Sequence, residues 1–160
     1  MHKDLQNFLH RAEDHFLKNP ELMMFKYHTE RMGQTLVVYE LLRDKEIEIF
    51  QPVADQLVKK LPEQDSHAIE LALKHWLSIM RYCSMAMLLD NPEFLQHRIL
   101  EWLTDQVAAQ NLVAIETELY SLLEAQLVKT LKSEQMQFLR PFLEQARQSI
   151  LTPSAIGSNA

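Results

Sequence analysis

Seven histidines and one cysteine are the residues of this chain best suited to chemistry. His97 and Glu101 stand four apart, as do His10 and Asp14, so each pair shares one face of a helix. Carboxylate-bridged di-iron sites use this spacing, but they draw several such pairs from different helices. No Glu-x-x-His and no His-x-x-x-His occurs here, and solvated pairs on helix faces are the simpler reading. His67 and His97 flank the Asn91-Pro92 corner on successive helices, an arrangement in which a haem can be held between two histidines. His97 falls early in its helix and His67 at the start of its own, where a solvated role is normal. His75 lies on a side stripe of a long apolar helix and is expected to be partly buried and hydrogen-bonded. Cys83 falls on the main stripe of that helix. Arg81, two positions away, points to another face, so an inert, buried thiol is expected. No Gly-rich phosphate loop, G-x-S-x-G or H-E-x-x-H occurs, and nothing in the placement of Ser, His and acidic residues marks a triad. We expect no enzyme, and no catalytic, cofactor-binding or metal residue.

The residues that must position any function are helical. Asp65–Val107 holds the most informative pattern. Ile69, Leu73, Trp76, Met80, Cys83 and Met87 form one apolar stripe, and Leu71, His75, Ile79, Tyr82 and Ala86 lie beside it. The polar remainder, Glu70, Lys74, Ser78 and Arg81, is narrow, so this helix should be covered on most sides. It starts near Asp65 or Ser66 and ends before Asn91-Pro92, where Asn91 caps the next helix and Pro92 opens it. Before it, the pattern predicts a helix over Asp4–Lys18 with Leu5, Phe8, Leu9, Ala12 and Phe16 on its apolar face. A second helix, from about Glu21 to Arg43, follows Asn19 as cap, with the stripe Leu22, Phe25, His28 or Thr29, Met32, Leu36, Val38 or Tyr39, and Leu42. Gly33 in its middle is expected to mark a close helix crossing. A third helix, over Lys45–Leu61 with Asp44 as cap, uses Ile47, Phe50, Val53, Leu57 and Leu61, and Pro52 should kink or split it. After the corner come helices over Pro92–Ala109, Leu112–Leu131 and Glu134–Leu151. Ser133 caps the last, and Pro141 should kink or split it.

Composition narrows the class. Hydrophobic residues make up 47% of the 160 and charged residues 24%, as in ordinary globular chains. Two glycines and no Asn-Gly pair argue against a sheet-rich fold. A net charge of -6 disfavours nucleic acid as a partner. A lone cysteine excludes an internal disulfide and fits a reducing compartment. The first residues lack a secretory apolar core, and no apolar run approaches the roughly 18 residues of a membrane span. We expect a cytoplasmic protein with residues 1-151 forming a single all-helical domain and 152-160 a disordered tail.

The central segment resembles the phycobilisome protein family, the globin-like phycobiliproteins that include allophycocyanin and phycocyanin. Trp76-Leu77-Ser78 stands where the family reads Tyr-Leu-Arg, and Arg81-Tyr82 where it reads Thr-Tyr. Asp90-Asn91-Pro92 corresponds to the family's turn, and Ile99-Leu100-Glu101-Trp102-Leu103 resembles the helix that follows. The resemblance implies an all-α, globin-like fold with two N-terminal helices and the segment around Trp76 innermost. It also places Ile69 at the bilin-attaching cysteine, and Leu71 and Ala72 at the arginine and aspartate that hold the pigment. Cys83 lies on the wrong turn to replace that thiol.

A relative without covalent bilin is therefore implied, with a structural or regulatory role in the assembly or turnover of light-harvesting complexes. Its partners would be phycobiliproteins or a second copy, met through the N-terminal helices with Leu5, Phe8, Leu22 and Phe25 in contact. Such partners would bring it to the thylakoid surface. Two alternatives remain open: a non-covalent haem or bilin carrier, and a helical protein-interaction adaptor from outside this family.

Overall fold

The chain's apolar residues recur at helical spacing from end to end, and the computed structural model, which describes residues 3–152, is helical throughout, with no strand among them. α1 spans Lys3–Asp14, α2 Asn19–Asp44, α3 Glu46–Lys60 and α4 Ser66–Leu89. α5, Pro92–Leu95, runs through a π-turn at Gln96–Leu100 into α6, Glu101–Ala109; α7 is Val113–Thr130 and α8 Ser133–Leu151. The tail expected to be disordered lies, past Thr152, outside the described residues.

α4 is the inner helix, as its narrow polar face requires. It packs against α2, α3, α5, α7 and α8. Trp76, Ala72, Ile79, Cys83 and Ala86 have no exposure, and His75 and Ser84 are buried with them. Asp90 closes α4 in the left-handed region at φ 48. The Asn91 N–H then donates to Ala86 O at 2.9 Å and the Asp90 N–H to Met87 O at 3.2 Å. That is a Schellman closure with aspartate in the place glycine usually takes. Asn91 Oδ1 accepts the Phe94 N–H at 3.1 Å, so asparagine caps and proline opens the next helix as expected.

The expected continuous helix over Pro92–Ala109 is instead interrupted by the π-turn, where the Glu101 N–H reaches back to Gln96 O. The inserted residue lets the neighbours Ile99 and Leu100 both enter the core with Leu95 and Leu103, all without exposure.

Three helix starts differ from expectation. α2 begins one residue early. Lys18, not Asn19, is its cap, and Glu21 accepts the Lys18 N–H at 2.8 Å, half of a capping box. α2 also runs through Asp44, which binds Arg43 at 2.7 Å instead of capping α3. At α8 the cap is Lys132, whose N–H goes to the Gln135 side chain at 2.9 Å, so Ser133 is already helical.

Neither internal proline splits its helix. Pro52 has no N–H for the Glu48 carbonyl, and the Gln126 amide of α7 donates to that carbonyl at 3.5 Å. The α3–α7 seam thus takes up the bond the proline forfeits.

Two apolar assignments also change. Ile47 is 78% exposed, and its place in the α3 face belongs to Ile49. α1 stops at Asp14, leaving Phe16 beyond its end and 99% exposed, and Leu9 is exposed too. Gly33 marks no crossing within the chain, for a Cβ built there meets nothing within 4 Å. Gly33→Ala is therefore expected to raise stability by about 0.5–1 kcal/mol, through helix propensity alone, seen as a higher thermal midpoint.

Candidate functional site

Clefts open beside Met80, Met87, Phe138 and Met136, and Ile69, Leu71 and Ala72 line none of these four. Ile69 and Ala72 belong to the main core with Trp76, and Leu71 is half-buried. Helix α4 thus carries no thiol, cation or carboxylate at these three positions. Ile69→Cys is expected to leave the new thiol as unreactive toward thiol reagents in the folded chain as Cys83, with both labelled on denaturation; mass spectrometry reads the difference.

Cys83 is buried, its thiol donates to the Phe142 carbonyl at 3.6 Å, and desolvation pushes its pKa far above the ordinary thiol value. Its burial is as expected. His97 Nδ1 and Glu101 are hydrogen-bonded at 2.8 Å, and both are more than half exposed. His10, Asp14 and His67 are exposed. Among the described residues no three His, Cys, Asp or Glu side chains gather as a metal site.

His75 is buried with a partner that the sequence reading missed. Its Nδ1 lies 2.6 Å from Glu116 Oε1 across the α4–α7 contact, and Glu116 has no exposure. Burial raises the Glu116 pKa, while His75 and then the neighbouring Trp76 indole work to lower it. Glu116 Oε2 and Trp76 Nε1 are otherwise without a hydrogen-bond partner. The signal was present in the sequence: Glu116 occupies the α7 apolar stripe with Leu112, Leu119, Leu123 and Leu127, where a solvated carboxylate has no place.

One cleft of about 270 Å³ opens where α2, α3 and α4 meet. Leu42, Ile49, Phe50 and Met80 form its floor, and Arg81 spans the rim to Glu46 with bonds of 2.8 and 2.6 Å. The guanidinium holds the Glu46 carboxyl below its ordinary value.

The most exposed apolar surface is on α2. From Asn19 to Gln34 no residue of this helix is buried, and its buried residues are Thr35, Val38 and Leu42. Leu22-Met23-Met24-Phe25 are consecutive, so at 3.6 residues per turn they point around most of the helix and no single contact can cover them.

α1 covers one side. Phe8 packs edge-on to Phe25 at 6.2 Å, Arg11 reaches Glu21 at 2.9 Å, and Asp4 stands 3.5 Å from His28. Leu5 and Phe8 are thereby buried within the chain and are not free for a partner. Away from α1, Leu22 47%, Leu36 45% and Val37 55% stay exposed with Gly33 among them, while Met32, 45% exposed, lies at the α1 edge beside Leu5 and His28. A groove of about 390 Å³ between Val37, Val38 and Phe138 continues this face onto α8. Contiguous exposed apolar surface is a feature of interaction sites on globular proteins in general.

The family model described as phycobilisome protein matches residues 11–150, leaving only the first ten and last ten residues outside it. No curated protein matches the chain.

Proposed function

The chain belongs to the phycobilisome protein family, whose all-α, globin-like fold it shares, and on that premise we propose that it is a bilin-free, non-catalytic member acting in the assembly, regulation or turnover of light-harvesting complexes. The family's role is in light harvesting and its members are generally not enzymes. The finer reading rests first on the α4 positions where the resemblance calls for thiol, arginine and aspartate. Here they are Ile69, Leu71 and Ala72, two of them packed into the core. Without a thiol no thioether to a pigment can form, and without the carboxylate the pyrrole N–H groups lack their acceptor. What remains for such a fold is to bind proteins.

The open face of α2 supplies the surface, and phycobiliproteins or a second copy of this chain are the partners. Leu22 of the four expected contacts stays on that surface, joined by Leu36 and Val37; Phe25, 38% exposed, packs on Phe8 at the edge of α1, and Leu5 and Phe8 serve inside the chain, fastening α1. No helix among the described residues is long and apolar enough to cross a membrane. Attachment to a thylakoid would then run through these partners. Residues 1-151 act as one all-helical unit in this reading.

Affinity capture tests it. Immobilised protein is expected to retain phycobiliproteins from a photosynthetic lysate, and retention of none would count against the assignment. A carrier role is checked by mixing with haem or phycocyanobilin. On the bilin-free reading no shifted visible band is expected, and a shifted band would favour the carrier.

A further inference from the structure

The molecule contains a buried polar group that the interaction reading does not use. His75 and Trp76, successive residues of α4, both face Glu116 of α7. The imidazole and the carboxyl are 2.6 Å apart, with side-chain exposures of 8% and 0%. Trp76 in turn packs against Tyr120, ring centroids 5.2 Å apart. A carboxyl in such a place holds its proton against water, because the charged form has lost its hydration.

We propose that His75 and Glu116 form a buried proton-binding site that latches α4 to α7: the latch is closed while the two groups share one proton and loosens when that proton leaves. With one proton between them the pair is neutral, whether as imidazolium with carboxylate or imidazole with carboxylic acid. Loss of the proton leaves a net negative charge in the core, held by one imidazole N–H and the Trp76 indole beside it. The sign follows from linkage. Glu116 has a raised pKa in the folded chain, so the fold binds this proton more tightly than the unfolded chain does. The stabilisation is complete below the ordinary carboxyl value and is lost as pH rises through the raised one.

No other charge on the packed elements competes for the proton. Besides burial, only His75 and Trp76 act on Glu116. On α3 and α7, Lys60 is engaged by Glu118; on α4, Lys74 by Glu70 at 2.7 Å and Arg81 by Glu46; on α8, Arg140 by Glu124 at 3.5 Å and Arg147 by Glu144. Tyr120, pushed up to about 12 by burial, stays neutral through the relevant range.

The chain's two tryptophans make the test direct. Trp102→Phe removes the half-exposed indole and leaves Trp76 as the only reporter. Its emission is followed in the folded protein from about pH 5 to about pH 10, a window that includes the values buried glutamates reach. One sigmoidal step is expected above the ordinary carboxyl pKa, with the thermal midpoint falling through the same range. Both should be lost in Glu116→Gln on this background. Should that variant not fold, the imidazole ¹⁵N resonances of His75 in the unsubstituted chain serve instead, and they should shift in the same step. An emission and a His75 resonance that stay flat across the window would overturn the proposal, as would an unchanged step in a folded Glu116→Gln.

Discussion

Trp76→Ala is expected to lower the stability of the chain by about 3–5 kcal/mol, the range for deleting a large aromatic side chain from a packed core. Trp76 has no exposure and sits in the middle of α4, the helix that α2, α3, α5, α7, α8 and the π-turn all touch. Its ring packs on Tyr120, and its indole stands beside Glu116. Removing it opens a cavity and also takes away one of the two groups that moderate a buried carboxyl, so the upper part of the range is expected. Urea denaturation reads the effect as a lower midpoint at unchanged slope, with one cooperative transition. Trp102→Ala is the control. That side chain is 49% exposed and contributes one hydrogen bond, to Arg98 O at 3.0 Å, so its removal should stay within about 1 kcal/mol. Equal losses in the two variants would contradict the placing of α4 at the centre.

The second large effect concerns association and leaves stability alone. Leu22→Glu with Leu36→Glu places two carboxylates on the open face of α2, where both leucines are nearly half exposed and turned away from Thr35, Val38 and Leu42. Surface changes of this kind usually alter folding by less than about 0.5 kcal/mol each. An apolar anchor at the centre of an interface is worth about 2 kcal/mol or more. The double variant should therefore bind its partner at least several hundred-fold more weakly while keeping its thermal midpoint to within a few degrees. Gly33 gives an independent check on the same face. Because Gly33 meets nothing within the chain, Gly33→Leu should fold normally, yet it adds bulk where a partner helix would lie. Calorimetric titration measures both, and unchanged affinity would move the interface elsewhere.

How much of this could be read from the residues depends on which contacts are local. α4 was legible because its apolar residues leave so narrow a polar strip that burial on most sides follows. The corner was legible because Asn91 and Pro92 act within one turn. The inner face of α8 is legible from spacing, for Met136, Leu139, Ala146 and Ile150 recur at helical intervals and are buried, with both Phe142 and Leu143 between them. The exposure of α2 is not legible from its spacing alone, because periodicity reports which residues are apolar and not whether this chain supplies something to cover them. Leu22, Met32 and Leu36 keep the spacing of a core stripe, yet among the described residues nothing buries them and each stays nearly half exposed. Ile47 and Phe16 failed for a related reason, since an apolar side chain beside a helix end can fall on either side of the boundary that a cap decides. The π-turn left no mark in composition, being set by the need to bury Ile99 and Leu100 together. Glu116 escapes a search for apolar stripes because it is a carboxylate, although its position on the α7 stripe places it in the core opposite His75 of α4.

Light scattering with phycobiliprotein present tests most directly whether α2 is a surface for another protein. The purified chain, 18.8 kDa by itself, is mixed with allophycocyanin or phycocyanin, and the mass in solution is measured with and without the Leu22→Glu and Leu36→Glu changes. The expected result is a mass above that of either component, or of the lone chain where it pairs with itself, that the double variant abolishes. A strict monomer in every mixture, identical for both forms, would contradict the account.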